Sequence, residues 1–299
     1  MRRAVKGSLI LGMTVGVAAA ALPVALAYFF LHPPRRFHRK TPKSAFGLDY
    51  QRVRLTTSDQ HVLSGWWVPH PEPRGMVVLC HGYYGNRETM LPYLEFLHAA
   101  GYSAFLFDFR RHGWSEGKHT SFGHIEVRDL DAALDWVFES GVLDNGLPLA
   151  VLGESMGAAV ALQVAAREPR IQAIVADSSY ARLDSAVKGR LTLAFGPALA
   201  NVVTPPTQWV GEKILGVSTH SIAPVEAVPA LSGRPTLLIH GDADGLIAVE
   251  NAYLLHPACG ESTELWITPG IRHVRSIHEV SEYGDRVLSF LDRALFGNS

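Results

Sequence analysis

The sequence predicts an α/β protein built on a mainly parallel central sheet. Short apolar runs of strand length alternate with longer segments that carry helical periodicity. One apolar run, residues 149–152, leads directly into Gly-x-Ser-x-Gly at residues 153–157 and then into a helix-like stretch. At 299 residues, 47% of them hydrophobic, the chain can bury a large core. One α/β domain with appendages is therefore the default expectation.

An uncharged run at residues 9–31 is the first feature along the chain. It is rich in Ala, Leu, Val and Gly and ends in three aromatic residues. As a helix this run spans roughly 35 Å, which is enough to cross a hydrocarbon core. We expect residues 1–31 to form an uncleaved transmembrane anchor of a single-pass cell-membrane protein, and residues 32–49 to form a juxtamembrane linker.

A cleaved signal peptide, and so a secreted protein, is the alternative interpretation of the same run. Basic residues precede it, and Ala-Leu-Ala at residues 25–27 resembles a cleavage site. The run is longer than the apolar core of most signal peptides, which favours the anchor. Basic residues flank the run on both sides, so the side of the membrane that carries the folded body stays open.

The charge of the chain is unevenly distributed. Residues 1–43 hold eight Lys and Arg and no acidic residue, which leaves 19 basic and 28 acidic residues in the remainder, a net charge of −9. Nucleic-acid binding needs clustered Lys and Arg on the folded surface, and an acidic body excludes it as the main activity. A basic tip suits an anionic membrane surface.

The folded domain is predicted to cover residues 50–299. An alternating pattern at residues 50–69 predicts a β-hairpin or short meander. Strands are then predicted at residues 76–80, 103–107, 149–152, 171–176, 236–239 and 263–267, and helices at residues 88–100, 124–139, 158–167, 246–256 and 279–295. Strands that alternate with helices of ten or more residues imply βαβ units, and hence the parallel sheet.

The alternation of strands and helices is interrupted at residues 181–230. This stretch contains Gly-Pro, Pro-Pro and scattered apolar residues, and it is predicted to form irregular helices. Fifty residues are a long insertion between two strands of one sheet. We therefore expect a lid over a site.

Ser155 stands at the place where a nucleophile is expected. In open parallel sheets, ligands bind just beyond the carboxyl ends of the strands. A serine between two glycines, after a strand and before a helix, suits a sharp and strained turn that exposes its hydroxyl. A serine is a weak nucleophile without a base, so a histidine and an orienting carboxylate should follow in the chain.

Two aspartates and two histidines are candidates for these partners. Asp242 and Asp244 follow the strand at residues 236–239, and Asp244 is favoured because it lies deeper in the loop. His273 lies in the loop after the strand at residues 263–267. His278 falls near or inside the last helix, where a surface role is expected. The order Ser155, Asp244, His273 is the Ser, Asp, His order of one particular fold.

Two further loops follow predicted strands. The turn at residues 81–86 could aim a backbone N–H toward Ser155 and, with the N–H of Met156, form an oxyanion hole. By itself, this stretch is better interpreted as an ordinary βα turn. The loop at residues 108–115 is charged, and we expect a structural network there among Asp108, Arg110 and His112.

These motifs together resemble the α/β-hydrolase superfamily, in particular serine hydrolases of the serine-aminopeptidase-like and esterase type with an N-terminal membrane segment. The resemblance covers residues 50–295 through ordered motifs: His81-Gly82, Asp108-x-Arg110-x-His112-Gly113-x-Ser115, Gly153-x-Ser155-x-Gly157, His240-Gly-x-x-Asp244 and His273. It implies an α/β-hydrolase fold with a mostly parallel central sheet, helices on both faces and a helical lid insertion.

The resemblance also assigns roles to residues. It implies Ser155 as nucleophile, Asp244 as acid, His273 as base, and the backbone N–H groups of Tyr83 and Met156 as oxyanion donors. One departure is Arg111, because such families usually have glycine after the arginine of this loop.

The expected function is a serine hydrolase that cleaves an ester or amide bond of a small or lipid-like acyl substrate through an acyl-enzyme on Ser155. A carboxylic ester hydrolase is preferred, and an aminopeptidase-like peptidase is second. A catalytically silent hydrolase fold that serves as a membrane-tethered interaction protein is the alternative of another class. No cofactor is expected, and no metal, since the sequence contains no cluster of ligands at metal-binding spacing.

Overall fold

A single eight-stranded sheet organises the structure, a computed structural model that describes residues 21–143, 146–231 and 233–297. The strands are β1 (Gln51–Thr56), β2 (Val62–Val68), β3 (Gly75–Cys80), β4 (Tyr102–Phe107), β5 (Leu149–Glu154), β6 (Ala173–Asp177), β7 (Thr236–Gly241) and β8 (Thr263–Thr268). Their order across the sheet is β1-β2-β4-β3-β5-β6-β7-β8. The pairs β1–β2 and β2–β4 are antiparallel, and every later pair is parallel. The predicted hairpin and mainly parallel sheet are confirmed.

Strand composition follows position in the sheet. The central strands β3 and β5 are buried along their whole length, because helices cover both of their faces, and they are accordingly almost wholly apolar. At the edge, β1 points Val53 and Leu55 into the core and alternate residues outward. Cys80 and Glu154, at the carboxyl ends of β3 and β5, bring the loops that follow them to one rim of the sheet.

Helices pack on both faces of the sheet, as the resemblance implies. They are α1 (Pro42–Phe46), α2 (Leu91–Ala99), α3 (Val127–Glu139), α4 (Met156–Ala165), α5 (Leu183–Leu215), α6 (Pro224–Ala227), α7 (Glu250–Cys259), α8 (Ser276–Glu279) and α9 (Tyr283–Phe296). One apolar core lies between the sheet and α3 and α4. The second core, on the opposite face, includes residues of α2 and α9.

Several element boundaries differ from the prediction for local reasons. The helix predicted at residues 88–100 is a 3₁₀ turn, Arg87–Met90, followed by α2. The helix predicted from residue 246 begins only at Glu250, because the Asp244 carboxylate accepts the backbone N–H groups of Leu246 and Ile247 in a turn. The final helix is divided into α8 and α9.

The insertion at residues 181–230 is largely helical. Its long helix α5 breaks at Gly196, whose φ of 76° and ψ of 163° are not helical. The short helix α6 follows, between 3₁₀ turns at Thr219–Ser221 and Val228–Leu231. The beginning of α5 is anchored, since Leu183 packs with Tyr180, Ile222 and Ile247.

The expectation of a transmembrane anchor needs correction. Residues 1–20 of the predicted anchor, 1–31, lie outside the described residues. Across residues 21–143, 146–231 and 233–297, no helix is both long enough and apolar enough for a membrane span. The prediction of a single-pass membrane protein is wrong on this finding.

The described end of that apolar run packs on protein. Residues 21–31 are helical, and Phe30 is buried with Leu191, Ala200 and Val203 of α5. The carbonyl of Phe30 accepts a hydrogen bond from the Tyr83 hydroxyl at 2.8 Å. Apolar side chains that hydropathy alone assigns to lipid therefore complete a protein core here.

Candidate active site

Ser155 occupies a sharp turn between β5 and α4. Its φ of 52° and ψ of −116° lie outside the regions that L-residues normally adopt, which is the strained conformation expected of an exposed nucleophile. A Cβ at Gly153 would overlap the backbone of Gly157, and a Cβ at Gly157 would overlap the Cys80 carbonyl. The two glycines are thus required by close backbone approach.

Three side chains form a hydrogen-bonded row. The Oγ of Ser155 lies 2.9 Å from Nε2 of His273, and Nδ1 of His273 lies 2.6 Å from Oδ2 of Asp244. The Asp244 side chain is fully buried, while 21% of the His273 side chain is exposed. The second oxygen of Asp244 accepts the N–H groups of Leu246 and Ile247, both at 2.8 Å, which fixes the carboxylate. The imidazole is held between the Asp244 carboxylate and the Ser155 hydroxyl.

The competing candidates lie elsewhere. Asp242 accepts the N–H of Gly270 at 2.6 Å and serves the turn. His278 is exposed on α8. Next to His273, Val274 has a φ of 52°, a conformation rare for a β-branched residue, and its N–H donates to the Ser178 hydroxyl at 3.3 Å. The loop that carries His273 is therefore held in a specific shape.

The segment 81–87, which follows β3, passes directly beside Ser155. A Cβ at Gly82 would lie 3.3 Å from the Cβ of Ser155. The expected donor Tyr83 follows Gly82, and within the described residues its N–H makes no hydrogen bond. Met156, the other expected donor, is the first residue of α4, so its N–H has no acceptor within the helix. Both N–H groups are thus available as donors near Ser155.

His81 fixes the start of this segment. Its Nδ1 lies 2.8 Å from the Gly82 carbonyl, and its Nε2 accepts the N–H of Phe109 at 3.0 Å. Burial lowers the pKa of His81 to about 4, so the ring is neutral and can do both. The histidine of this motif is a structural support for the loop.

Two buried carboxyl groups behind Ser155 were missed by sequence reasoning. Glu154 accepts the N–H of Gly82 at 3.1 Å and lies beside Asp177 across the β5–β6 pair. Burial raises the pKa of Glu154 to about 7 and also raises the pKa of Asp177. The only sequence signal was an acid as the residue before Ser155 in a strand that is otherwise apolar.

The charged loop after β4 makes structural contacts, but the partners differ from the expected network among Asp108, Arg110 and His112. Arg110 forms ion pairs with Asp129 at 2.6 Å and Asp59 at 2.7 Å. Asp108 accepts backbone N–H groups of Arg87 and Trp114, both at 2.8 Å. Arg111 adopts a φ of 66°, a left-handed conformation that glycine adopts more readily than any other residue.

An apolar pocket opens at Ser155. It encloses about 450 Å³ of space, its mouth included. Most of its walls come from the N-terminal segment, segment 81–87, α5 and the loop after β7: Phe30, Tyr83, Phe122, Ser155, Met156, Tyr180, Leu183, Ala186, Val187, Arg190, Leu246 and Ile247. A second apolar pocket shares Phe30, Phe122, Leu183 and Val187 with it and extends toward Leu215. The contribution of Phe30 had no sequence signal other than hydrophobicity.

The comparison with known proteins agrees with this geometry. The esterase Pf2001 of Pyrococcus furiosus is 31% identical, with a TM-score of 0.75 over 89% of this chain and 98% of the esterase. A monoacylglycerol lipase of Mycolicibacterium smegmatis is 29% identical over 239 residues, 69% of this chain and 84% of the lipase. YfhR of Escherichia coli K12, an uncharacterized protein, is 25% identical over 283 residues, 92% of this chain and 90% of its own.

A family model described as serine aminopeptidase, S33, matches residues 71–227, slightly more than half of the chain. The matched region runs from β3 through Ser155 into the helical insertion. The fold, the strand order and the related esterases all agree with that match. The chain therefore belongs to the serine aminopeptidase (S33) family of α/β hydrolases.

Proposed function

We propose that the protein is a carboxylic ester hydrolase that works through an acyl-enzyme on Ser155. The observation that carries this proposal is the hydrogen-bonded row Ser155, His273, Asp244, whose serine lines an apolar pocket. Such a row makes a serine hydroxyl nucleophilic, and apolar walls suit an acyl chain.

The first half of the reaction forms the acyl-enzyme. Ser155 Oγ attacks the ester carbonyl carbon while its proton passes to Nε2 of His273. The N–H groups of Tyr83 and Met156 stabilise the negative oxygen of the tetrahedral intermediate. His273 then gives the proton to the departing alkoxide as the carbon–oxygen bond breaks, and the alcohol leaves.

The second half uses water in place of Ser155. His273 removes a proton from a water molecule as its oxygen attacks the acyl carbonyl. Collapse of this intermediate breaks the bond to Oγ, Ser155 regains its proton from His273, and the carboxylic acid leaves. Asp244 orients the imidazole and stabilises its charged form in both halves.

The pocket favours an ester over an aminoacyl substrate. An aminopeptidase must bind a free α-ammonium group, which calls for a carboxylate near the nucleophile. Among the residues that line the Ser155 pocket, the single charged side chain is Arg190, a cation that repels an ammonium group. Its guanidinium is held over the rings of Tyr83 and Tyr84, 5.2 and 4.8 Å from their centroids. The aminopeptidase alternative is therefore second.

Labelling with a fluorophosphonate probe and hydrolysis of p-nitrophenyl butanoate test the proposal. We expect Ser155→Ala to abolish labelling and to lower kcat by roughly 10⁴-fold or more. Ser281→Ala, an exposed serine, is the matched control and should retain both activities. Absence of labelling of the folded wild-type protein would support the catalytically silent alternative instead. Faster hydrolysis of leucine p-nitroanilide than of the ester would favour the peptidase.

A further inference from the structure

A further pocket, distinct from the two apolar pockets described above, lies against the other end of segment 81–87. It encloses about 780 Å³, its open mouth included. It lies between residue 38 of the N-terminal segment, strands β1 and β2, and the end of segment 81–87, and it is lined by His38, Arg52, Val53, Arg54, Ser64, Gly65, Arg87 and Trp114. Where the Ser155 pocket is apolar, this one is bordered by cationic side chains. We call it the Arg87 pocket.

Arg87 is a buried cation whose side chain has no hydrogen-bond acceptor. The residue is 4% exposed, and its Nε and Nη1 are both buried without a partner in the described chain. Nη1 lies 3.8 Å from an Asp108 oxygen, beyond hydrogen-bond distance. Both Asp108 oxygens already accept backbone N–H groups, from Arg87 itself and from Trp114. The guanidinium packs over Trp66, 4.5 Å from the ring centroid.

Two other buried ring nitrogens adjoin Arg87. Nδ1 of His38 and Nε1 of Trp66 are also buried without a hydrogen-bond partner in the described chain. The two rings are 4.8 Å apart and nearly perpendicular. Four buried polar atoms on three contacting side chains are thus unsatisfied at one place. Since buried polar groups in proteins almost always have partners, this cluster calls for a hydrogen-bond partner that the described chain does not supply.

The mouth of the pocket adds positive charge. Arg52 and Arg54 are two residues apart on β1, so they project from the same face of the strand, and both are exposed. Across the described ranges neither forms an ion pair. Burial lowers the pKa of Arg87, and nearby Arg52 adds to that effect while Asp108 opposes it. Three arginines therefore line the pocket, and the Asp108 carboxylate near Arg87 already accepts two backbone N–H groups.

We propose that the Arg87 pocket binds a phosphate group, either inorganic phosphate or the end of a small soluble phosphate monoester. A phosphate oxygen accepts hydrogen bonds and carries negative charge. The side chains of the Arg87 pocket offer unpaired donors and positive charge, so a phosphate group complements both. The planar guanidinium of Arg87 suits bidentate contact with two phosphate oxygens, and Arg52 and Arg54 supply attraction at the mouth. This assignment is independent of the reaction at Ser155.

Phosphate binding also links separate parts of the chain. Glu88, the residue after Arg87, accepts the backbone N–H groups of Arg39 and Lys40 at 2.8 and 3.3 Å, so the segment that carries His38 is tied to this turn. A phosphate held by Arg87 and Arg52 connects this turn to the edge strand β1. We expect the ligand to stabilise the folded state, because it binds the native arrangement of side chains only.

Isothermal titration calorimetry with inorganic phosphate, at ionic strength held constant with chloride, tests the site on the full chain. We expect one phosphate per chain and a rise in melting temperature with phosphate concentration. Arg87→Gln should weaken binding about tenfold or more, since it removes hydrogen bonds to a charged group. Arg52→Gln should weaken it about two- to fivefold. Arg286→Gln, an exposed arginine on α9, is the control and should bind as wild type does.

The outcomes that overturn the proposal are distinct. Failure of the wild type to bind phosphate saturably refutes it, and so does equal affinity in wild type and the Arg52→Gln, Arg54→Gln double variant. The double variant changes exposed residues only and should fold. Its phosphate affinity therefore tests the proposal even if Arg87→Gln does not fold. Titration with glycerol 3-phosphate distinguishes the two ligand sources: tighter binding than inorganic phosphate indicates a monoester, and weaker binding indicates free phosphate.

Discussion

The Ser155 pocket and the Arg87 pocket share one stretch of chain, residues 81–87, and are built in opposite ways. In the first, the polar side chains satisfy one another as a row, and apolar walls surround them. In the second, polar atoms are buried without a hydrogen-bond partner among the residues that the structure describes, and the surroundings are cationic. The paired side chains of the Ser155 pocket can carry out the proposed reaction without a further side chain. The unpaired nitrogens of the Arg87 pocket instead require an acceptor from a bound ligand.

The shared segment is held by a buried carboxylate at each end. Glu154 accepts the N–H of Gly82 at 3.1 Å, and Asp108 accepts the N–H of Arg87 at 2.8 Å. Burial raises the pKa of both acids. The loop that carries Tyr83 is thus positioned by hydrogen bonds to buried acids. Its conformation therefore does not require a ligand in either pocket.

The largest effect should come from breaking the row in the Ser155 pocket. Asp244→Asn keeps the size of the side chain but removes the charge that holds His273 in the reactive tautomer, and we expect kcat to fall by about 10⁴-fold. Steady-state kinetics with a p-nitrophenyl ester measure this. Asp242→Asn is the matched control, and phosphate titration of Asp244→Asn should match wild type. If the Asp242 variant is the inactive one, the assignment of the acid is wrong.

A smaller effect concerns the carboxylate behind the nucleophile. The Glu154 carboxyl ionises near pH 4.5 in the unfolded chain but only near pH 7 in the folded protein. The folded state therefore holds more protons between these pH values, and the free energy of unfolding falls as pH rises through that window. Between pH 4.5 and pH 8, the free energy of unfolding of wild type should fall by about 3 kcal/mol relative to that of Glu154→Gln, which cannot ionise at this position.

Urea unfolding of both proteins at pH 4.5 and pH 8 measures that difference. Glu95→Gln, which changes an exposed acid on α2, controls for loss of a carboxylate and should follow wild type. A constant difference between wild type and Glu154→Gln at the two pH values contradicts an elevated pKa at this position.

The smallest effect should come from the pocket wall. Phe30→Ala removes a side chain that lines both the Ser155 pocket and the apolar pocket beyond it. We expect kcat/KM for octanoyl relative to acetyl p-nitrophenyl esters to rise about tenfold, because longer acyl chains gain room. Phe29→Ala, whose side chain is half exposed, is the control. An unchanged chain-length profile would exclude Phe30 as a determinant of acyl length.

Sequence reasoning was strongest where local pattern and chemistry coincide. Strand and helix periodicity gave the sheet, and the strand before Ser155 together with its two glycines indicated the turn. Asp244 and His273 could be named because the loops after parallel strands meet at one rim. Helix starts were less accurate, because the turn formed by the Asp244 carboxylate delays α7 and Asn86 begins a 3₁₀ turn before α2.

Long-range pairing explains what sequence reasoning missed. Hydropathy identifies an apolar segment but not its partner, so the burial of Phe30 against α5 could not be separated from burial in lipid. Similarly, nothing local distinguishes Arg87 from any other arginine at the start of a helical turn. Its unsatisfied nitrogens become evident only when Asp108, Trp66 and His38 are placed around it.

The backbone at Ser155 has a consequence for how the protein can be engineered. Its φ of 52° costs on the order of 1–3 kcal/mol for a residue with a side chain, and glycine would relieve that cost. Substitution of Ser155 by glycine should therefore stabilise the fold while it removes the hydroxyl on which the proposed reaction depends. A mutant library selected for thermal stability alone would therefore enrich folded but inactive variants. Such a selection needs an activity screen in parallel.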